Sequence, residues 1–398
     1  MRPLEGIRIL DLTHMLAGPF SAMLLADLGA ETIKVEPPGV GEATRRLLTE
    51  QPKYCIDGLG PYILTLGRNK KSVTLDLKQE EGRELFYRLV GQSDVVISNF
   101  RPGVAERLRI DFDSLAKHNP RIVTCLVSGF GNTGPGKDRT AFDMVAQGYG
   151  GGMSVTGEPG RGPMRAGIFI GDLGGGLFAT IGILAALQAR ERTGRGQNVD
   201  ISMVDGQISL LTYVATMYLI SGEVPESMGN EHFSHMPYGV YKTQDLWIIL
   251  ACVQDPFYWS LAEVLGHSGL LREEFRTREV RLQHRDEINR LIEEEFLKWK
   301  GDDLLRELQE RGVPCGPVNT LDRALSDPQV LARNMVVEVK APNGQTFRAP
   351  GNPIKLSATP AEQFDSPPLL GQHTREVYRR MLQLSDEDLA GLAERGVI

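Results

Sequence analysis

IRILDLTHMLAGPFSAMLLADLGAETIKV, residues 7–35, switches from strand to helix and back to strand within thirty residues. Residues 7–12 form a short Ile/Leu run that suits a strand. Residues 19–28 open on Pro19, which a first helical turn tolerates because its missing N–H would have no partner there, and continue as an apolar helix. Residues 32–35 return to strand. A helix between two short strands makes a crossover connection, and crossovers join parallel strands. The rhythm continues with a helix over 79–90 and strands over 95–98 and 122–127. Runs rich in Val and Ile without polar alternation belong to strands covered on both faces, so the expected fold class is α/β with a doubly wound parallel sheet.

That topology resembles a Rossmann fold, whose dinucleotide-binding members carry GxGxxG in the first strand-to-helix turn. Here the turn reads THMLAGP (13–19), which disfavours NAD binding and with it a dehydrogenase. At 398 residues, 41% hydrophobic and 24% charged, the chain can bury an ordinary globular core. A formal net charge of -7 with dispersed Lys and Arg offers no basic stripe, so no nucleic-acid partner is expected. The four cysteines, Cys55, Cys125, Cys252 and Cys315, are far apart without a CxxC pair, and this points to a reducing cytoplasm. No leader pattern opens the chain, and no apolar run reaches the roughly 20 residues that span a bilayer, so no membrane association is expected.

Further along, RAGIFIGDLGGGLF (165–178) places Asp172 between a strand-like apolar run and three glycines. The aspartate could cap a helix starting in the glycines, or it could be a nucleophile beside a backbone that substrate can approach closely. An apolar helix over 178–190 and a strand over 198–202 follow. Glycines and prolines crowd 129–163 and are read as loops flanking Asp172. Residues 238–252 read as two short strands about a turn at 243–245. Amphipathic helices are expected over 286–300 and 302–311, a hairpin over 336–349, and closing helices over 375–384 and 386–395. The stretch 201–236 is read as a long connector. Trp247 and Trp259 are expected in the core of the smaller unit.

Together with LEGIRILDLTH (4–14) and AGP (17–19), several blocks match in order and spacing: AETIKVE (30–36), RNKKSVTLDL (68–77), NFRPG (99–103), SGFG (128–131), AFD (141–143), PYG (237–239), GPVN (316–319) and LGQH (370–373). On these residues the chain resembles the class III CoA-transferase family, which also contains the α-methylacyl-CoA racemases. The resemblance implies a Rossmann-like large domain built from both chain ends (1–220 and 328–398), a smaller α+β domain (221–327), and an interlocked homodimer that could associate further.

By the same resemblance Asp172 is the nucleophile. It attacks the thioester of an acyl-CoA to give an acyl-aspartyl anhydride and then an aspartyl-CoA thioester. Backbone N–H groups of a glycine loop would hold the oxyanions, a contribution of about 3 to 4 kcal/mol per donor. Coenzyme A enters as a thioester substrate, with no tightly bound cofactor and no metal. Its contacts are expected from Lys71, Asn99, Phe100, Arg107 and Lys137, with His14, Leu16 and Ala17 near the thioester. Leu16 stands where many members carry glutamine. His14, Arg165, Asn230 or His232 could bind an acceptor carboxylate. Racemases have a histidine before the aspartate of the 141–143 block, where this chain has Phe142, so CoA transfer is expected over racemisation. The pattern is similar to members that transfer CoA from succinyl-CoA to dicarboxylates such as malate, citramalate or glutarate. Formyl-, oxalyl- or carnitine-type transfer and a non-catalytic CoA-binding role are the alternatives.

Overall fold

The computed structural model describes residues 2–398, which form two compact units. The first comprises residues 2–153, 165–223 and 328–398, the second residues 154–164 and 224–327. The glycine-rich piece 154–164 belongs to the smaller unit.

Six strands make the sheet of the larger unit: β1 (Arg8–Asp11), β2 (Glu31–Glu36), β3 (Lys70–Thr74), β4 (Val95–Ser98), β5 (Val123–Ser128) and β6 (Asn198–Ser202). Their order is β3-β2-β1-β4-β5-β6 and every pair is parallel. This is the doubly wound order in which the chain reverses direction across the sheet between β1 and β4. Such a reversal leaves a crevice at the carboxyl ends of those two strands. Core residues on one face of the sheet include Leu10, Ile33, Val73 and Val96, and on the other Ile9, Val95, Ile97 and Val123, as expected for strands without polar alternation.

The chain's end returns to this sheet. In the Thr374–Leu382 helix, Val377, Tyr378 and Met381 are buried in the same core as β3, and the Tyr378 hydroxyl donates to the Thr74 carbonyl at 2.8 Å. Ser385 caps the last helix, Asp386–Glu394, in a reciprocal box with Asp388.

The smaller unit has a three-stranded antiparallel sheet of β7 (Tyr238–Lys242), β8 (Trp247–Ala251) and β9 (Cys315–Pro317), packed on the Asp255–Leu265, Arg285–Phe296 and Gly301–Glu310 helices. Strands β10 (Val336–Lys340) and β11 (Thr346–Pro350) pair as the expected hairpin in the larger unit.

Four expectations are corrected. The helix that carries Asp172 runs Ile170–Thr193, so it begins before the glycines, and residues 165–169 form no strand. At 24 residues this helix is long and apolar enough to match a membrane span in length and composition, but its Ala179, Ile183, Ala186 and Leu187 are buried in the sheet's core. Residues 203–221, read as connector, form two helices, Met203–Leu211 and Tyr213–Ser221, broken at Thr212 where φ is 49°. Trp247 is 50% exposed because it occupies an outward position of β8, whose alternate residues Ile248 and Leu250 point inward.

Candidate active site

A cleft of about 550 Å³ opens where the strand order reverses. His14, Met15, Leu16 and Ala17 come to it from the turn after β1, Asn99 to Pro102 from the turn after β4, and Ser128 and Gly129 from the end of β5. Asp172, Asp143, Phe142, Phe169, Arg139 and Arg165 also line it. The turn after β1 is fixed by Asn99. Its Oδ1 accepts from the His14 amide at 2.9 Å, and its Nδ2 donates to the His14 carbonyl at 2.6 Å. The Ala17–Asp27 helix then starts with no side-chain cap and no acid in its first turn, which leaves the Ala17 and Gly18 amides without a capping side chain.

Asp172 is the third residue of its helix. All four opening N–H groups of that helix have other partners. Ile170 donates to the Ile168 carbonyl, Leu173 to the Phe169 carbonyl, and Gly171 and Asp172 to Asp143 Oδ1 at 2.8 and 3.2 Å. Asp143 opens the Asp143–Tyr149 helix, and its second oxygen accepts from Gln147 Nε2 at 2.7 Å. Gln147 Oε1 in turn accepts from the Ala166 amide at 2.9 Å. The cap therefore comes from another element, not from Asp172 as the sequence allowed. The Asp172 carboxylate makes no hydrogen bond or ion pair among the described residues. Burial and, after it, the negative charge of Asp143 push its pKa up from 3.8 to about 7. A partly buried, raised and unbonded carboxylate at a cleft is what a nucleophile needs and what a structural cap lacks.

Of the other expected site residues, His14, Leu16, Ala17, Asn99 and Phe100 line this cleft, and Arg165 does so too. Burial and the Lys34 charge lower the His14 pKa, which favours the neutral ring. Lys71 does not line the cleft. It projects from β3 into a separate polar hollow, paired with Glu376 at 2.6 Å and Glu31 at 3.5 Å. Arg107 and Lys137 are exposed and outside the cleft lining. Asn230 and His232 belong to the smaller unit, where His232 Nδ1 accepts from the Ser234 amide at 3.1 Å. Sequence reasoning missed Arg101 and Arg139, which line the cleft and have no carboxylate partner among the described residues. It also missed Asp143 as the cap. Arg101 and Asp143 lay inside quoted blocks, but only the folded chain shows what they meet. Among the described residues no group of three or more His, Cys, Asp or Glu side chains is placed to hold a metal ion.

Residues 4–374 match the family model described as CoA-transferase family III. Succinyl-CoA--D-citramalate CoA-transferase of Chloroflexus aurantiacus is 38% identical over the whole of this chain and 98% of its own length. Succinate--glutarate CoA-transferase of Agrobacterium fabrum is 38% identical over 94% of each chain. The crystal structure of a CAIB/BAIF family protein from Brucella suis superposes with a TM-score of 0.85 at 38% identity, covering 96% of this chain and 99% of that one.

Proposed function

The chain belongs to CoA-transferase family III, and from that premise we propose that it moves CoA from succinyl-CoA to a dicarboxylic acid through covalent intermediates on Asp172. The observation that carries the reading is the Asp172 carboxylate, raised, unbonded and in the cleft. Its oxygen attacks the thioester carbon, the C–S bond breaks, and CoA thiolate leaves an acyl-aspartyl anhydride. Thiolate then attacks the aspartyl carbonyl and releases succinate. The acceptor carboxylate attacks the resulting aspartyl-CoA thioester, and thiolate resolves the second anhydride to the new acyl-CoA and free Asp172. No proton is gained or lost over the cycle, so the site needs no acid/base pair. Phe142, where a racemase would hold a histidine, supplies apolar wall.

His14, Leu16, Ala17, Asn99 and Phe100 are assigned to the thioester end of CoA. Arg101, Arg139 and Arg165 are the cations that an anionic donor and acceptor would neutralise. Malate, citramalate and glutarate are the acceptors to try first. Lys71, Arg107 and Lys137 are not retained as contacts of this cleft. We assign the protein to the cytoplasm, in keeping with its four free thiols.

We also assign it a homodimeric state. The Tyr213–Ser221 helix buries none of its residues within its own chain, and Leu219 and Ile220 are 78% and 82% exposed. A second copy that covers this face would remove an apolar surface too large to leave in water.

Intact-mass measurement after mixing with succinyl-CoA, with hydroxylamine trapping and peptide mapping, tests the chemistry. A labile adduct on Asp172 that is absent from Asp172→Ala is expected. Transfer activity surviving in Asp172→Ala would refute the assignment.

A further inference from the structure

Beneath the cleft wall lies a charged cluster that the reaction leaves unused. Strand interiors of a parallel sheet are ordinarily apolar, yet Asp11 of β1, Lys34 of β2 and Lys70 of β3 are all buried, and Asp11 and Lys34 are register partners. Lys70 Nζ donates to Asp11 Oδ2 at 2.9 Å and to the Pro19 carbonyl at 3.2 Å. Lys34 Nζ is 4.0 Å from that carboxylate and spends its hydrogen bond elsewhere, on the Thr13 carbonyl at 2.6 Å. Asp11 Oδ1 accepts from both the Thr13 amide, at 2.9 Å, and the Thr13 hydroxyl, at 2.5 Å.

Thr13 is thus held at its amide, hydroxyl and carbonyl by buried charges. The next residue, His14, is held on both sides of its backbone by Asn99. Directly after them Met15 adopts φ of +66°, a left-handed conformation uncommon for a residue with a Cβ, which persists where its surroundings over-determine it. Gly18 closes the same turn against Thr13, since an added Cβ would come within 2.5 Å of Thr13 Cγ2. The wall His14–Ala17 and the start of the Ala17–Asp27 helix follow from these fixed points.

We propose that Lys34 is a positioning residue for CoA transfer, acting through the Thr13 carbonyl to hold the His14–Ala17 wall against the thioester, whereas Lys70 is the structural counter-ion of Asp11. The inference rests on the reading of Asp172 as the acylated residue. The two lysines are chemically alike and adjacent but have different partners, so their loss has different consequences. Without Lys34, Asp11 keeps Lys70 and no buried carboxylate is orphaned. Only the Thr13 carbonyl loses its donor, and the turn is released. Without Lys70, the nearest cation to Asp11 is 4.0 Å away and already committed to Thr13.

Single-turnover acylation by succinyl-CoA, read as adduct on Asp172, is compared with KM for succinyl-CoA and with thermal unfolding for Lys34→Met and Lys70→Met. Lys34→Met is expected to acylate about tenfold more slowly or worse, with KM within about twofold of wild type and little change in melting temperature. Lys70→Met is expected to melt well below wild type while the molecules still folded acylate at close to the normal rate. Acylation by Lys34→Met at the wild-type rate would overturn the proposal. So would a matched loss of rate, affinity and melting temperature in both variants, which would make Lys34 merely structural. No adduct in the wild-type chain would instead overturn the reading of Asp172, and this inference with it.

Discussion

Asp172 sits at the third position of a helix, where an aspartate ordinarily folds back onto the opening amides. Asp143 already occupies those amides. The arrangement has a cost and a use, because two carboxylates close together in a half-buried place keep one of them protonated near neutrality. Arg101, Arg139, Arg165 and His14 share the cleft, yet the net effect on Asp172 is upward. In the proposed mechanism the ionised form attacks, so kcat/KM should rise with pH through about 7. In Asp143→Asn, which keeps an acceptor for the amides but not the charge, that rise should move to lower pH. Above pH 8 the variant should be about three- to tenfold slower, as a less basic carboxylate is a weaker nucleophile. An unshifted pH profile would remove Asp143 from this role. Linkage gives a companion expectation. A carboxyl whose pKa is raised on folding binds an extra proton in the folded state, so stability falls as pH climbs from about 4 to 7. Asp172→Asn should therefore be more stable than wild type at pH 8, by about 1 to 3 kcal/mol after allowance for solvent screening, with the difference fading by pH 4 in thermal unfolding. Asp172 was legible in the sequence because a carboxylate beside glycines and the flanking family blocks mark it. Its cap was not, since Asp143 lies 29 residues away and only packing brings the two together.

Three consecutive glycines inside the Ile170–Thr193 helix are a local contradiction, each costing about 1 kcal/mol relative to alanine. Packing resolves it. A Cβ on Gly176 would come within 2.6 Å of the Ala17 carbonyl and 3.0 Å of Phe20, so that glycine lets two helices touch at the back of the cleft. A Cβ on Gly174 would meet only side-chain ends, the tip of Leu210 at 3.1 Å and Gln207 Nε2 at 4.0 Å. Gly176→Ala should lower the melting temperature despite the better helix propensity, by about 1 to 3 kcal/mol in stability, whereas Gly174→Ala should be close to neutral. A Gly176→Ala chain as stable as wild type would contradict the packing argument. The same glycines explain why the helix start was misjudged from sequence. Local propensity placed the boundary at them, and tertiary contacts carried the helix through. Five of the six strands of the parallel sheet, by contrast, were read to within a residue at each end, whereas β3, which opens on two lysines and carries no apolar run, was quoted only as a matching block. The Tyr213–Ser221 helix was missed for a related reason, because an apolar segment left exposed in its own chain lacks the amphipathic period by which helices are recognised.

At the scale of the whole molecule, the bare face of the Tyr213–Ser221 helix makes assembly measurable. Light scattering should give twice 43.9 kDa for the wild-type chain, and the double substitution Leu219→Glu with Ile220→Glu should shift it toward the single-chain mass. A wild-type chain that stays at 43.9 kDa at all concentrations would refute the dimer. The return of residues 328–398 to the first sheet bears on how the protein is made. The outer edge of β3 is closed by the Thr374–Leu382 helix, and the Asp76 amide is paired with the carbonyl of Val397, next to last in the sequence. While the polypeptide is still emerging from the ribosome, the first sheet waits with an open edge and an uncovered apolar face. Most of the smaller unit, drawn from the continuous stretch 224–327, can condense meanwhile. Nascent chains stalled before residue 374 should depend on chaperones, and a stop codon that removes only the final helices should cost the enzyme its earliest-made domain.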